Sequence, residues 1–207
     1  MKGKLVTFEG CEGVGKSKQI TLLQEYLKSK NIQYYLTREP GGSKVSEKIR
    51  NIILDKNNST MTDECEALLY ASARAQLLKE IVKPKLDNGE LVFCDRYIDS
   101  SFAYQGYARG LGLEFVKRVN DYAVSNFMPD LTLFLNLPPE QAFKRKGGAD
   151  AGDRLEQSGM EFHNKVYQGY LDLAKIYKDR FVVIDASGTK EQTHNKIINA
   201  LKEHGII

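Results

Sequence analysis

A glycine-rich segment near the start of the chain constrains its fold more than any other feature. The segment reads G-C-E-G-V-G-K-S at residues 10–17 and matches the pattern G-x-x-x-x-G-K-[ST]. An apolar run precedes it and a helical pattern follows it, which is the context that such a loop requires. Glycine lets successive backbone N–H groups turn toward phosphate oxygens, and the start of the next helix adds positive charge. The segment therefore predicts a nucleotide-phosphate site between a strand and a helix.

Each position of this loop is a candidate contact for the phosphates of a nucleotide. Lys16 supplies a cation to the β- and γ-phosphates, and the hydroxyl of Ser17 is placed to bind Mg²⁺. The complete set of predicted phosphate-loop residues is Gly10, Cys11, Glu12, Gly13, Val14, Gly15, Lys16 and Ser17.

Short apolar runs alternate with helical patterns along the rest of the chain. The predicted strands lie at 4–9, 33–38, 91–95, 131–137 and 181–185. The predicted helices lie at 17–30, 64–86, 114–126 and 161–178, with further helix starts at Pro138-Pro139 and at a Thr189/Gln192 capping box. Apolar strands joined by crossover helices are typical of a parallel sheet that is buried on both faces. We therefore predict the P-loop NTPase fold of the α/β class, with a five-stranded parallel sheet flanked by helices.

Length and composition limit the domain count and the partners. A chain of 207 residues suits one domain, 1–207, and a glycine-rich stretch predicts a small lid at about 143–156. The 30 basic and 27 acidic residues nearly balance, so we expect no nucleic-acid partner. We also expect no membrane partner, because no apolar run could cross a bilayer and the first residues lack the pattern of a signal peptide. Three cysteines without paired spacing indicate a cytoplasmic setting.

Aspartates end two of the later predicted strands. Asp95 ends the run L-V-F-C-D and could hold Mg²⁺ directly or through water, whereas Asp185 ends a similar run near the C-terminus. The pattern alone does not separate the two, but its combination with the phosphate loop favours Asp95 as the Mg²⁺ ligand.

Arginines lie at the ends of two predicted strands. Arg38 ends the second strand and Arg96 follows the third. Ligands of open parallel sheets bind at the carboxyl ends of the strands, so both side chains are expected in the crevice beside the phosphate loop. Because a guanidinium holds phosphate oxygens bidentately, the pair predicts a bound phosphomonoester. Surface salt bridges are the alternative for both, and they are the favoured interpretation for Arg118 and Arg180.

A phosphate loop occurs in several classes of protein, so other motifs must separate them. A GTPase should carry N-K-x-D on a late strand, and this chain has none. A helicase or a transporter ATPase needs a larger chain and further motifs. A kinase of small molecules needs a phosphate cradle, an acceptor site and a closing lid, all of which fit within one domain.

Five short motifs occur in a characteristic order. They are F-E-G-x-E-G-x-G-K-S at 8–17, T-R-E-P-G-G at 37–42, D-R-Y at 95–97, S-S-x-A-Y-Q-G at 100–106 and D-R-L-E at 153–156. Together they resemble the thymidylate kinase family of nucleoside monophosphate kinases. The resemblance implies transfer of the γ-phosphate of ATP to dTMP, giving dTDP for dTTP biosynthesis, with Mg²⁺ as the metal. It also implies a homodimer whose small-molecule partners are dTMP and ATP.

The resemblance further implies how the acceptor nucleotide is bound. Arg38 and Arg96 would clamp its phosphate, and Arg74 would reach a carbonyl of the thymine. Tyr70 would stack on the base, since residues four apart share one helix face, although core packing is its alternative. The remaining implied contacts are Ser101 and Gln105 with the edge of the base, Tyr104 against the place of a ribose 2′-OH, and Glu12 with the 3′-OH.

On the donor side, the resemblance implies that Ser17, Asp95 and Glu9 surround the Mg²⁺ ion. Gly13 stands where one branch of the family has a basic residue, so the branch with a catalytic arginine in its lid is the closer match. Arg154 is the favoured candidate for that arginine and Arg145 is the second. The implied catalytic residues are thus Lys16, Arg96, Arg154 and Arg145.

Some interpretations stay open at the level of sequence. The thiol of Cys11 lies in an electropositive loop, which would favour a reactive thiolate, but an inert side chain that faces away is equally consistent. Residues 186–189 follow the last strand and are the candidates for contact with adenine. A kinase for another nucleoside monophosphate and a nucleotide-dependent switch that transfers no phosphate are the alternative functions.

Overall fold

A parallel β-sheet runs through the centre of the protein. The computed structural model describes residues 2–124, 127–146, 154–155 and 158–207. The strands are β1 (Lys4–Glu9), β2 (Tyr35–Arg38), β3 (Leu91–Asp95), β4 (Leu131–Asn136) and β5 (Phe181–Asp185). They lie in the order β2-β3-β1-β4-β5, and every neighbouring pair is parallel. The predicted five-stranded parallel sheet of a P-loop α/β fold is therefore confirmed.

Helices connect the strands. They are α1 (Lys16–Ser29), α2 (Lys44–Leu54), α3 (Asp63–Leu77), α4 (Lys83–Asp87), α5 (Ile98–Ser101), α6 (Leu113–Val124), α7 (Pro139–Lys146), α8 (Gly159–Ile176) and α9 (Lys190–Glu203). π-helical turns at Leu78–Val82 and Phe102–Ala108 follow α3 and α5. Within the described ranges, no helix combines the length and the apolar character that a membrane crossing needs.

Helix starts that the sequence predicts are present. α1 begins directly after the glycine-rich loop, and the stripe of Ile20, Leu23 and Leu27 on its inner face is buried. The capping box of α9 is complete: the N–H of Gln192 donates to Oγ1 of Thr189 at 3.2 Å, and the N–H of Thr189 donates to Oε1 of Gln192 at 2.9 Å. Local signals therefore predict where these two helices begin.

Two helical regions differ from their prediction. The helix predicted at 64–86 is interrupted by the first π-helical turn, and Pro84 follows that turn as the second residue of α4. Proline has no N–H to donate to the preceding residues, which fits a break in the α-helical hydrogen-bond pattern at this place. No helix is predicted at α2, which begins just after the glycines at 41–42. Ser43 caps α2 by accepting a hydrogen bond from the N–H of Ser46.

The sheet is buried on both faces and presents its polar residues at one edge. Every residue of β1 after Lys4 is buried, which explains why its apolar residues do not alternate with polar ones. At the carboxyl ends of the central strands, Asp95 of β3 is in register with Arg38 of β2 on one side and with Phe8 of β1 on the other. This register brings the ends of three strands to one edge, where the candidate site lies.

Arg180 departs from its predicted place on the surface. Its guanidinium donates to both carboxylate oxygens of the fully buried Asp99 at 2.7 Å, and it donates to Oγ1 of Thr132 at 2.8 Å. The interpretation of Arg180 as a surface salt bridge is therefore wrong. Its position just before β5 directs the side chain inward, and only the fold places a buried carboxylate there.

Candidate active site

The glycine-rich loop adopts backbone angles that favour glycine. Gly13 has a φ of 76°, and a Cβ at this position would lie 2.7 Å from the carbonyl oxygen of Ala142 in α7. Gly15 has a φ of 96° immediately before α1. Lys16 begins that helix and is buried; burial lowers the pKa of its ammonium group, and the charge of Arg96 lowers it further. The loop thus carries a buried cation at a helix N-terminus, which suits an anionic ligand.

A cavity of about 220 Å³ lies at the carboxyl ends of the central strands. The loop contributes Lys16 and Ser17 to its wall, and β3 contributes Asp95. Every residue that was expected to bind the acceptor nucleotide also lines this cavity: Glu12, Arg38, Tyr70, Arg74, Arg96, Ser101, Tyr104 and Gln105. The fold therefore brings the predicted donor and acceptor residues to one place, although they come from different loops and helices.

The turn after β3 holds Arg96 in an unusual conformation. Arg96 has a φ of 67°, a left-handed value that is uncommon for residues other than glycine. Its guanidinium pairs with the carboxylate of Glu12 and donates to Oγ of Ser100 and to the hydroxyl of Tyr170, each at 3.3 Å. It also lies 5.2 Å from the ring centre of Tyr104. These contacts direct the guanidinium into the cavity before any ligand binds.

Glu9 stabilises the turn after β3 through hydrogen bonds. Its Oε1 accepts hydrogen bonds from the backbone N–H groups of Tyr97 and Ser100, and its Oε2 accepts from the hydroxyls of Ser100 and Tyr170. Burial raises the pKa of Glu9 to about 7, and the nearby charge of Asp99 raises it as well. Both oxygens are engaged and Glu9 does not line the cavity, so the structure separates it from Ser17 and Asp95, the other predicted Mg²⁺ ligands.

Ser17 and Asp95 themselves fit a magnesium ion. Both line the cavity beside the phosphate loop, and they present the hydroxyl and carboxylate oxygens that Mg²⁺ prefers. Oδ1 of Asp95 is buried and has no hydrogen-bond partner among the described residues. A buried carboxylate oxygen without a donor is costly unless a cation or water serves it. No cluster of three or more protein metal ligands occurs in the described ranges, so phosphates and water would complete the coordination.

Arg74 is a buried residue of the cavity wall and is held by three partners. Its guanidinium donates to Oε2 of Glu39 at 2.8 Å, to Oδ1 of Asn120 at 2.6 Å and to Oγ of Ser101 at 3.1 Å. Burial raises the pKa of Glu39 to about 7, although the charge of Arg74 opposes this shift. Tyr70 lies one helical turn before Arg74 on α3, and both side chains reach the cavity. The predicted pairing of an aromatic ring and an arginine on one face of the helix is present.

The P-G-G turn after β2 is tied to α2. Arg38 donates to the carbonyl oxygen of Pro40 at 3.1 Å and pairs with Glu47, whose Oε1 also accepts from the N–H of Gly42 at 2.7 Å. Arg50 of α2 donates to the same carbonyl of Pro40 at 2.9 Å and lines the cavity. Arg50 was missed in the sequence. The four-residue spacing of Val45 and Ile49 within α2 was the available signal.

The two candidate lid arginines occupy different places. Arg154 donates through Nε to the carbonyl of Ile53 at 3.0 Å and pairs with the buried Glu66, while its neighbour Leu155 lines the cavity. Arg145 instead donates to the carbonyls of Ala186 and Ser187 at 2.7 and 2.6 Å, in the segment that was expected to contact adenine. Most of the lid predicted at 143–156 lies outside the described residues, namely 147–153 and 156.

Cys11 is buried, and the structure decides between its two interpretations. Burial raises the pKa of the Cys11 thiol to about 12, because removal from water outweighs the opposing charges of Arg96 and Lys16. The interpretation of Cys11 as an activated thiolate is therefore wrong, since its side chain faces the core. Sequence alone placed the residue in a positive loop but did not show to which side the thiol points.

Comparisons with known proteins agree with this geometry. The family model described as thymidylate kinase matches residues 8–197. A protein named thymidylate kinase from Thermoanaerobacter sp. (strain X514) is 48% identical over 99% of this chain and 100% of its own length. Thymidylate kinases from Lactobacillus acidophilus and Bacillus velezensis are 48% and 43% identical, each over 98% of this chain and at least 95% of their own. With a family match over most of its length and relatives this similar, the chain belongs to the thymidylate kinase family.

Proposed function

We propose that this protein transfers the γ-phosphate of ATP to dTMP, giving dTDP for dTTP synthesis. The observation that carries the proposal is one cavity shared by a phosphate loop and an arginine-lined acceptor site. Lys16, Ser17 and Asp95 face this cavity from the donor side, and Arg38 and Arg96 face it from the acceptor side. Phosphoryl transfer needs two phosphate groups held in line, and this arrangement provides a place for both.

The donor side would position the nucleoside triphosphate. The backbone of the loop and the ammonium group of Lys16 would hold the β- and γ-phosphate oxygens, and Ser17 and Asp95 would hold Mg²⁺. When bound, the ion neutralises charge that develops on the transferred group. Lys16 begins α1 from a buried position, so its charge needs little reorganisation when the phosphates arrive.

On the acceptor side, the guanidinium groups of Arg38, Arg50 and Arg96 would bind the phosphate of dTMP. Arg96 is held by Glu12, Ser100 and Tyr170, which orders it before the substrate binds. The reaction needs no strong general base, since the attacking oxygen belongs to an anionic phosphate. Positioning and charge neutralisation therefore supply most of the rate.

The base and sugar would occupy the deeper part of the cavity. We infer that Tyr70 stacks on thymine, Arg74 donates to a carbonyl oxygen of the base, and Ser101 and Gln105 bind its remaining edge. Tyr104 is buried and its hydroxyl has no hydrogen-bond partner among the described residues. A ribose 2′-OH would crowd this ring, which favours deoxyribose, while Glu12 is within the same cavity to meet the 3′-OH.

Arg154 remains our candidate for the catalytic arginine, with Arg145 as the second. Arg154 lies beside Leu155 of the cavity wall, and Arg145 donates to the carbonyls of residues 186–187. Phosphates in the cavity would offer Arg154 a new anionic partner. Arg145, by contrast, is closer to the segment proposed for adenine.

One coupled assay tests the function against its alternatives. ADP release is measured with ATP and Mg²⁺ in the presence of dTMP, dUMP, dCMP, GMP or AMP. We expect a strong preference for dTMP. Preference for another base would favour a different nucleoside monophosphate kinase, and ADP release without any acceptor would favour a nucleotide switch.

We also propose that the protein acts as a homodimer in a reducing cytoplasm. Large apolar side chains are exposed on neighbouring helices: Ile52 of α2, Leu68 of α3 at 53% and Tyr122 of α6 at 93%. α3 packs against both α2 and α6, so the three helices that carry these side chains are neighbours. A second copy of the chain would cover them. The cysteines are free thiols, which fits a reducing compartment.

A further inference from the structure

A buried carboxylate lies behind the part of the cavity that we assign to the base. Glu66, near the start of α3, is fully buried and does not line the cavity. Its Oε1 accepts a hydrogen bond from Nε2 of Gln105 at 2.8 Å. Arg109 donates to both of its oxygens, at 3.3 and 3.1 Å, and Arg154 donates to Oε2. These partners hold Glu66 rigidly, so it can in turn orient Gln105.

The contact with Glu66 decides which end of the Gln105 carboxamide is available to a ligand. A carboxamide donates through its nitrogen and accepts through its oxygen. A carboxylate only accepts, so it draws the nitrogen of Gln105 toward itself. Gln105 lines the cavity, and with its nitrogen committed to Glu66 the oxygen is the atom left to accept a hydrogen bond there.

We propose that Glu66 is a positioning residue that sets the base specificity of the enzyme. It holds Gln105 with its amide oxygen toward the base, which selects a pyrimidine that carries a proton on N3, as thymine does. In cytosine N3 is an acceptor, and two acceptors would face each other without a proton between them. This inference rests on the proposed function, in which Gln105 binds the edge of the base.

Two substitutions of Glu66 alter the orientation of Gln105 in different ways. In Glu66→Gln the new carboxamide can donate as well as accept, so Gln105 is free to turn over and present its nitrogen. In Glu66→Asp the carboxylate is shorter and withdraws from Gln105, while the long side chains of Arg109 and Arg154 can still follow it. The second variant keeps the buried charges paired and is therefore expected to fold.

The measurement is the ratio of kcat/KM for dTMP to kcat/KM for dCMP. If the variants weaken the contact between Glu66 and Arg154, both kcat/KM values fall together. If the carboxamide of Gln105 turns over, the ratio of the two values changes. We expect each variant to lower the ratio by about 10- to 100-fold, since a hydrogen-bonding site discriminates by leaving the wrong partner unpaired. Some preference remains, because Arg74 is fixed by Glu39, Asn120 and Ser101 and can only donate.

Asp63→Asn is the matched control. Asp63 lies on the same helix and pairs with Arg109 at 3.3 Å, but its hydrogen bonds do not include Gln105. We expect this variant to keep the wild-type ratio. Gln105→Met provides a second control: without the carboxamide Glu66 has nothing to orient, so Glu66→Asp should cause no further loss of the ratio in that background.

The outcomes separate the two levels of the proposal. A wild-type protein without preference for dTMP over dCMP would overturn the proposed function. A wild-type protein that prefers dTMP, together with a folded Glu66→Asp variant that keeps the ratio, would overturn the role of Glu66 alone. Thermal melting of each variant establishes whether it is folded. If Glu66→Gln does not fold, the ratio measured for Glu66→Asp tests the role of Glu66.

Discussion

Single residues at the carboxyl edge of the sheet owe their positions to partners far away in the sequence. Arg96 has a left-handed backbone, and Glu9, 87 positions upstream, accepts hydrogen bonds from the N–H of the next residue, Tyr97, and from that of Ser100 in α5. Glu12 and Tyr170 hold the guanidinium itself. The residue is therefore ordered before a phosphate binds, which reduces the entropy lost on binding.

Replacement of Lys16 should remove activity and leave the fold intact. In Lys16→Ala the loop loses the buried cation that faces the donor phosphates, and we expect kcat/KM to fall by about 10³-fold or more. Steady-state kinetics and circular dichroism of the same sample measure the two effects. Lys18→Ala is the matched control, because Lys18 is exposed on the same helix. Near-normal activity of Lys16→Ala would contradict its assigned role.

The raised pKa of Glu9 predicts how the stability of the ligand-free protein depends on pH. The pKa is about 7 in the folded state against an ordinary value of 4.5, so the folded protein binds more protons between these values. The contribution of Glu9 to stability is thus fully present below pH 4.5 and is lost as the pH rises through 7. Its size is at most about 3 kcal/mol.

Urea unfolding of wild type and Glu9→Gln between pH 4.5 and 7 measures this contribution. We expect the free energy of unfolding to fall less steeply with rising pH in the variant, because glutamine does not titrate. If the free energy of unfolding depends on pH in the same way in both proteins, the raised pKa of Glu9 is contradicted.

At the scale of elements, α1 and α9 are predicted from strong local signals, whereas α2 and the interruption after α3 are not predicted. α1 and α9 begin where the glycine-rich loop and the capping box place them. The region around α3 and α4 contains a π-helical turn, which a simple 3.6-residue periodicity does not reveal. α2 supplies Arg50 to the cavity, so the missed helix also hid a member of the site.

Thr189→Ala should lower stability, because it removes the cap at the start of α9. The hydroxyl of Thr189 accepts the hydrogen bond of the Gln192 N–H at the start of α9, away from the acceptor cavity. We expect a loss of about 1 kcal/mol in the free energy of unfolding, which chemical denaturation would measure. An unchanged free energy of unfolding in Thr189→Ala would contradict the capping role of this hydroxyl.

At the scale of the whole molecule, the strand order brings the donor and acceptor residues together. The phosphate loop follows the central strand β1, and its neighbour β3 leads directly into the turn that carries Arg96. The outer strand β2 leads into the P-G-G turn with Arg38. An open parallel sheet collects ligands at these ends, and here three adjacent strands contribute to one cavity.

If the protein is a homodimer, a single charged substitution in the interface should convert it to a monomer. Leu68→Glu places a charge on the exposed side of α3, and burying that charge in an interface would be costly. We expect wild type to sediment as a dimer and Leu68→Glu as a monomer. Val183→Glu is the control, since Val183 is exposed on β5 at the opposite edge of the sheet from β2. A wild-type monomer would refute the dimer.

The phosphate loop, the parallel sheet and most of the residues that line the cavity are predicted from the sequence, because they depend on local patterns and on motifs in a characteristic order; Arg50 is an exception. Contacts made only in the folded chain reveal that Cys11 is buried, that Arg180 pairs with Asp99, that Glu9 supports the Arg96 turn and that Glu66 accepts a hydrogen bond from Gln105. The physical reason is burial: the pKa of a group and its hydrogen-bond partners depend on neighbours that the chain brings together only when it folds.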